Sequence, residues 1–288
     1  MDKKNKLYLI IILIIIILIN FIIALIYMKT PEKKIVIFDL DETLGSFTEL
    51  GIFYDALESY YSHKLTRKDF FNLLDLYPEF LRPNIIKILS YLKSKKVNGT
   101  CDKIIIYTNN QGPKNWAQNI RKYFEDKLNY KLFDRIIAAY KIGGKQIEKN
   151  RTTHDKSTKD FFNCTKFSKE SKLCFIDDQY HPFMNCKNVY YINVQPYTST
   201  IPYQEMINRY YEKNADIIRD KEIFNHKMLS VMNKYHFNHT NLSDDNYQKY
   251  IIASKNLLKH LQLFFNTFKN NKTKKKKNTH LRNVTIKI

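Results

Sequence analysis

The chain lacks the residue patterns that would fix several function classes at once. Its 288 residues include only four cysteines, Cys101, Cys164, Cys174 and Cys186, with no Cys-x-x-Cys pair and no zinc-type spacing against histidine. Cys174 lies in an apolar run and reads as a reduced core cysteine. The closest histidine pair, His236 and His239, sits among Asn and Phe and reads as surface. No internal repeat is visible. Acidic residues are scarce, 28 against 48 basic ones, a formal net charge of +20. From Lys269 to the end there are eight basic residues and no acidic one. That tail holds +8 and residues 1–34 hold +4, which leaves +8 for the middle. A nucleic-acid role would therefore rest mainly on the tail.

What the chain does have begins with a long apolar run. Leu7 to Tyr27 is almost all Ile and Leu, with Asn20 its only strongly polar member. As a helix at about 1.5 Å per residue it would span roughly 30 Å, the thickness of a bilayer core. A cleaved signal peptide has a shorter apolar region ending at small residues. The expectation is an uncleaved, single-pass membrane anchor over residues 7–27. Lysines flank both ends, so charge does not orient it. The seven residues Met28 to Lys34 then lead to the next element, a reach of no more than about 25 Å.

Ile35 to Leu44 reads Ile-Val-Ile-Phe-Asp-Leu-Asp-Glu-Thr-Leu. Four apolar, mostly β-branched residues predict a central parallel strand buried on both faces. Asp39 and Asp41 follow at its carboxyl end, where open α/β sheets hold their ligands. Two further apolar strands end in polar residues: Lys103 to Tyr107 runs into Thr108-Asn109-Asn110-Gln111-Gly112, and Leu173 to Ile176 into Asp177-Asp178. Adjacent carboxylates repel one another, so the Asp177-Asp178 pair itself suggests a cation. Phe133 to Ala139 and Val189 to Val194 read as two more strands, and Pro83 to Lys95 as a crossover helix. Gly45 to Glu49 suits a turn or small flap. Short helical patterns follow around Tyr54 to Tyr61 and Arg67 to Leu76.

These stretches resemble the four motifs of the haloacid dehalogenase (HAD) superfamily of phosphotransferases, over roughly Lys34 to Val194. Asp39, Asp41 and Thr43 match its Asp-x-Asp-x-Thr motif, Thr108 its strand-end hydroxyl, and Asp177-Asp178 its acidic fourth motif. Lys156, 21 residues before Asp177 and near a helix start, matches its lysine, with Lys159 as second choice. The resemblance implies an α/β, Rossmann-like parallel sheet with a small insertion after the first strand. It further implies a magnesium-dependent phosphatase. In that reading Asp39 is the nucleophile that becomes aspartyl-phosphate, Asp41 the acid and base, and Thr108 and Lys156 orient and neutralise the phosphoryl oxygens. Mg²⁺ is held by Asp39, the Asp41 carbonyl and one of Asp177 and Asp178. The branch it resembles acts on phosphoproteins, like the RNA polymerase C-terminal-domain phosphatases. Thr-Asn-Asn-Gln-Gly is also similar to the second motif of polynucleotide 3′-phosphatases, apart from one extra Asn. A membrane-tethered scaffold that keeps the fold without the chemistry is the competing class.

The expected organisation is an anchor in residues 1–30, a HAD-like domain in 31–200 facing the cytosol, a helical region in 201–268 and a basic tail in 269–288. That tail reads as disordered, with anionic lipid or nucleic acid as its weak partners. An insertion of about 35 residues is small for a cap domain. In the superfamily the chain resembles, a small cap leaves an open site and favours large substrates such as phosphoproteins or nucleic-acid ends, with gating of small molecules by the insertion as the alternative.

Overall fold

The computed structural model describes residues 8, 12–20, 32–112, 115–238, 244–267 and 284–286. The chain divides into two compact units, Met1–Lys33 and Lys34–Ile288. In the first unit residues 12–20 are helical, and the large apolar side chains from Ile12 to Ile19 are exposed. Most of the expected span over residues 7–27 lies outside the described residues, and no helix among them is long and apolar enough to cross a membrane.

In the second unit the expected strands form. β1 (Lys34–Phe38), β2 (Lys103–Tyr107), β3 (Arg135–Ile137), β6 (Lys172–Asp177) and β7 (Val189–Val194) build a parallel sheet, closed at one edge by β8 (Val284–Ile286). Its order is β3-β2-β1-β6-β7-β8. β4 (Lys141–Ile142) and β5 (Lys145–Gln146) form a separate two-residue hairpin, turned by Gly143 and Gly144 at φ of 53° and 77°, a backbone region open to glycine. The basic tail read as disordered over 269–288 thus contains a strand. Val284 pairs with Ile192 and Ile286 with Val194, and the stretch 268–283 is outside the described residues.

Strand alternation divides the core in two. Val36, Phe38, Ile104, Ile106, Cys174 and Ile176 face a large cluster that takes in the insertion and the C-terminal helices. Ile35, Ile37, Ile105, Tyr107, Leu173 and Phe175 face a smaller one, covered by Phe161 and Cys164 of α5 (Thr158–Thr165). The insertion consists of α1 (Thr48–Tyr61) and α2 (Arg67–Leu76), followed by α3 (Ile85–Val97). α2 starts on a reciprocal cap, in which Thr66 and Asp69 each accept from the other's backbone N–H. Of the turn or small flap expected over Gly45 to Glu49, the structure has the turn, which passes into α1 at Thr48. Gly45 is required there, because a Cβ would lie 2.4 Å from the Phe80 carbonyl oxygen. α4 (Trp116–Lys127) joins β2 to β3. After β7 come α6 (Tyr203–Lys213), α7 (Lys221–Met232) and α8 (Asp244–Thr267). α7 packs on α1, and α8 on β7 and α3.

Candidate active site

Three neighbouring strands deliver the site. β1 lies between β2 and β6, with Phe38 level with Ile106 and Ile176, so Asp39, just past the end of β1, comes level with Tyr107 and Asp177, and Thr108 follows one residue further along β2's exit. Backbone bonds hold these ends: Asp39 N–H donates to the Ile176 carbonyl at 2.9 Å, and Thr108 N–H to that of Ile137 at 3.0 Å. Asp39, Asp41, Thr108, Lys156, Asp177 and Asp178 all line one cavity of about 200 Å³, together with Asn110 and His181. A larger cavity of about 680 Å³, bordered by Asp55, Glu58, His63 and Lys234, lies elsewhere and gathers no comparable carboxylate cluster. Chemistry rather than size marks the smaller one.

Lys156 is the centre of the arrangement. Ser157 caps α5 by accepting from Asp160 N–H, which fixes the chain just before the helix. The Lys156 ammonium, 2 % exposed, contacts the Asp39 carboxylate and donates to Asp177 Oδ2 at 2.7 Å. Burial would lower its pKa, but Asp39 and Asp177 outweigh that and raise it. Lys159 is exposed, so Lys156 is the lysine brought to the site.

The four aspartates differ in environment. Burial drives the Asp39 carboxyl well above the ordinary range, against the pull of Lys156. Burial also acts to raise Asp177, but Lys156 and His181, whose Nε2 lies 3.4 Å away, leave it below that range. Asp178 is pushed up to about 6 by burial and then by the Asp177 and Glu42 charges, and its Oδ1 accepts from the Thr43 hydroxyl at 3.1 Å. Asp41 is raised by burial, and Asn110 Nδ2 donates to its Oδ2 at 2.7 Å.

Asp39, Asp177 and Asp178 each offer a carboxylate oxygen, all within 4.8 Å of one another. Ionised together, three buried carboxylates beside a single ammonium would leave a negative excess in a low-dielectric place, which is why Asp39 and Asp178 are raised, and the hard oxygen donors suit a divalent cation of the Mg²⁺ or Ca²⁺ type. Of the expected metal residues, the Asp41 carboxylate stands outside this set, directed to Asn110.

Sequence reasoning missed the residues that hold the loops. Arg82, 1 % exposed, donates from Nε to the Thr43 carbonyl at 2.6 Å and from Nη2 to those of Glu42 and Gln195 at 2.5 and 2.8 Å. It thereby ties the turn after Asp41 to the exit of β7. Burial pulls its guanidinium down to about 10, which leaves it charged at neutral pH. Arg151, equally buried, donates to the Thr108 and Ala138 carbonyls at 3.1 and 2.9 Å, to Asn109 Oδ1 at 2.7 Å and to the His154 carbonyl at 2.8 Å. Its guanidinium lies over the Tyr107 ring. Asn193 Nδ2 donates to the carbonyls of Asp177 and Asp178. Asn110 is the extra Asn of the Thr-Asn-Asn-Gln-Gly stretch, and the contact with Asp41 gives it a role at the site.

No family model, curated protein or solved structure matches the chain. A functional reading therefore stands on the geometry and on the motif resemblance alone.

Proposed function

We propose that the chain is a membrane-tethered, magnesium-dependent phosphatase that hydrolyses phosphomonoesters through an aspartyl-phosphate on Asp39. The observation that carries this reading is the convergence of Asp39, Lys156 and Asp177. They are separated by 117 and 21 residues, yet one buried ammonium bridges two carboxylates beside Thr108. A structural ion pair needs one acid per base, whereas phosphoryl transfer needs a nucleophile, positive charge for the equatorial oxygens and a proton for the leaving group.

Each residue then has a task. An oxygen of the Asp39 carboxylate, which the Lys156 charge and a bound divalent cation would hold ionised against its burial, attacks phosphorus as the bond to the leaving oxygen breaks. Asp41, whose carboxyl is raised by burial and oriented by Asn110, gives its proton to that oxygen. Asp41, now a carboxylate, takes a proton from a water that attacks the aspartyl-phosphate, releasing phosphate and restoring both groups. Thr108 offers its hydroxyl, and Lys156 its charge, to the phosphoryl oxygens. A Mg²⁺ held by Asp39, the Asp41 carbonyl and Asp177 or Asp178 would neutralise charge between carboxylate and phosphate. The fit of three carboxylates supports a divalent cation there. The small volume of the cavity, about 200 Å³, supports a phosphoprotein whose bulk stays outside over a small metabolite enclosed whole.

The deciding experiment is hydrolysis of an aryl phosphate by the full chain in detergent, with magnesium or with chelator, beside Asp39→Asn. Turnover should require magnesium, and the variant should lose on the order of 10³-fold or more in kcat. Activity unchanged in Asp39→Asn would sink the mechanism. A folded, magnesium-binding protein without turnover on aryl phosphate, phosphopeptide or 3′-phosphorylated oligonucleotide would favour the scaffold class.

A further inference from the structure

The strands that carry the site share a second regularity, at their other ends. Lys34, Lys103 and Lys172 open β1, β2 and β6, and Asp39, Thr108 and Asp177 come five residues after them. Parallel pairing sets Lys34 opposite Lys172, and Lys103 opposite Ile35, so the three lysines form a row along the amino-terminal edge of the sheet. That row lies about 16 Å from the aspartates, at ~3.3 Å per residue. The loops that lead into β6 and β7 on this edge add exposed Lys166, Lys169 and Lys187. The acidic residues there are Asp102, Asp134 and Glu170, and Asp134 is already held by Lys96 and Lys103 at 2.7 and 3.1 Å. Val97, at the end of α3 beside them, is 66 % exposed. At the opposite edge Asp39, Asp41, Glu42, Asp177 and Asp178 face the single charge of Lys156. One sheet thus separates charge along its strands, basic where the chain joins it at Lys34 and acidic at the cavity.

We propose that the amino-terminal edge of the sheet is a docking surface for an anionic lipid bilayer. Chain connectivity selects this partner over other polyanions. The chain joins the sheet on this edge, six residues after an apolar run of bilayer length. Lysines on long apolar stems, with an exposed valine among them, suit a headgroup layer that is charged outside and greasy beneath. Docking by this edge leaves the acidic edge turned away from lipid, where negative headgroups would repel it. The inference concerns orientation and holds whether or not the cavity hydrolyses phosphate esters.

All core side chains among the described residues belong to Lys34–Ile288, so this unit buries a core of its own and can be tested without the apolar run. The measurement is its co-sedimentation with phosphatidylcholine vesicles made with and without phosphatidylserine. Binding should need phosphatidylserine and weaken with salt. Each basic residue near such a surface is worth about five-fold in affinity, so K166E/K169E/K187E should lose on the order of 100-fold or more. A matched triple on the helical layer, K68E/K213E/K234E, makes the same change in net charge and should keep most of the binding. All six side chains are exposed, and unchanged thermal melts would confirm intact folding. Equal loss in both triples would overturn the proposal by reducing it to net charge. Equal affinity for both vesicle types would overturn it too, as would an oligonucleotide that displaces the protein from phosphatidylserine vesicles at equal charge.

Discussion

Replacing Lys156 with methionine tests the electrostatics of the site independently of catalysis. Methionine keeps most of the stem volume, so the cavity term is small. What is lost is the charge between Asp39 and Asp177, which are 8 % and 1 % exposed. Removing one partner of a buried ion pair costs about 3–5 kcal/mol, because the other charge stays buried without compensation. In a chain whose whole stability is about 5–15 kcal/mol that is a large share, worth roughly 10 °C in Tm for a unit of this size. The pH dependence carries the diagnostic sign. In the parent, Lys156 is raised, so its contribution is complete below the unfolded lysine value and lost only as pH climbs through the still higher folded value. Asp177 is depressed, so its contribution is present above the unfolded value of 3.8 and lost as pH falls through the folded one. Without the ammonium, Asp177 joins Asp39 among the raised carboxyls, whose contribution is lost as pH rises. The stability gap between parent and Lys156→Met should therefore widen from pH 5 to pH 8. Magnesium stabilises each form by about 2.7 kcal/mol at a hundred times that form's own Kd, so it should close part of the gap to the extent that the variant, with one positive charge fewer at the site, binds it more tightly. Urea denaturation with chelator at both pH values reads this directly. A gap below about 1 kcal/mol that does not change with pH would refute the picture of a buried, uncompensated acid cluster.

Two further predictions follow from buried groups outside that cluster. Glu49 of α1 is fully buried, accepts from Ile201 N–H at 2.8 Å and is pushed up to about 7 by burial. A raised carboxyl contributes most below its unfolded value of 4.5 and nothing above 7, so it should account for about 2 kcal/mol of stability lost between those values. Glu49→Gln should flatten that slope in melts taken across the range, and an unchanged slope would assign it to another group. Arg151→Met should raise KM for an aryl phosphate and lower kcat, together by about 10–100-fold, because Thr108 and Asn109 lose the donor behind them. Unchanged constants in a folded variant would show that the loop holds itself.

Much of this was legible because strands buried on both faces write themselves as continuous apolar runs. Ile-Val-Ile-Phe and Ile-Ile-Ile-Tyr have no other plausible home, and the aspartates and threonine that end them had to share one edge once the sheet was parallel. Lys156 needed more than composition, since it is one of 48 basic residues and its burial depends on a helix cap at Ser157. Arg82 and Arg151 left no trace at all. A buried arginine satisfied by carbonyl groups has no periodicity, and its partners lie 39 to 113 residues away for Arg82 and as far as 43 for Arg151. β8 was hidden for another reason: three residues in a basic stretch form a strand only because β7 offers them an edge.

Whether the insertion moves bears on what the cavity can discriminate. A cap that gates small molecules must swing, whereas this one is braced from several sides. Tyr77 donates to the Met206 carbonyl at 2.6 Å, Phe53 packs edge-on against Tyr210 and Tyr60 against Phe224, and Arg209 pairs with Glu79 at 2.6 Å. Moving α1 away from α6 and α7 would expose a continuous part of the core, at about 25 cal/mol per Å². The insertion is therefore fixed rather than a lid, and none of its residues lines the cavity, which opens at the strand ends. In the proposed reading, an open cavity of about 200 Å³ would take the phosphoryl group and leave the leaving group outside. Selection among phosphomonoesters must then come from surfaces around the mouth. Small aryl phosphates of equal leaving-group pKa should accordingly differ little in kcat/KM, within about ten-fold, whatever their ring substituents. A steep dependence on substituent size would mean that the insertion moves after all, and the braces at Tyr77 and Arg209 would be the first contacts to test.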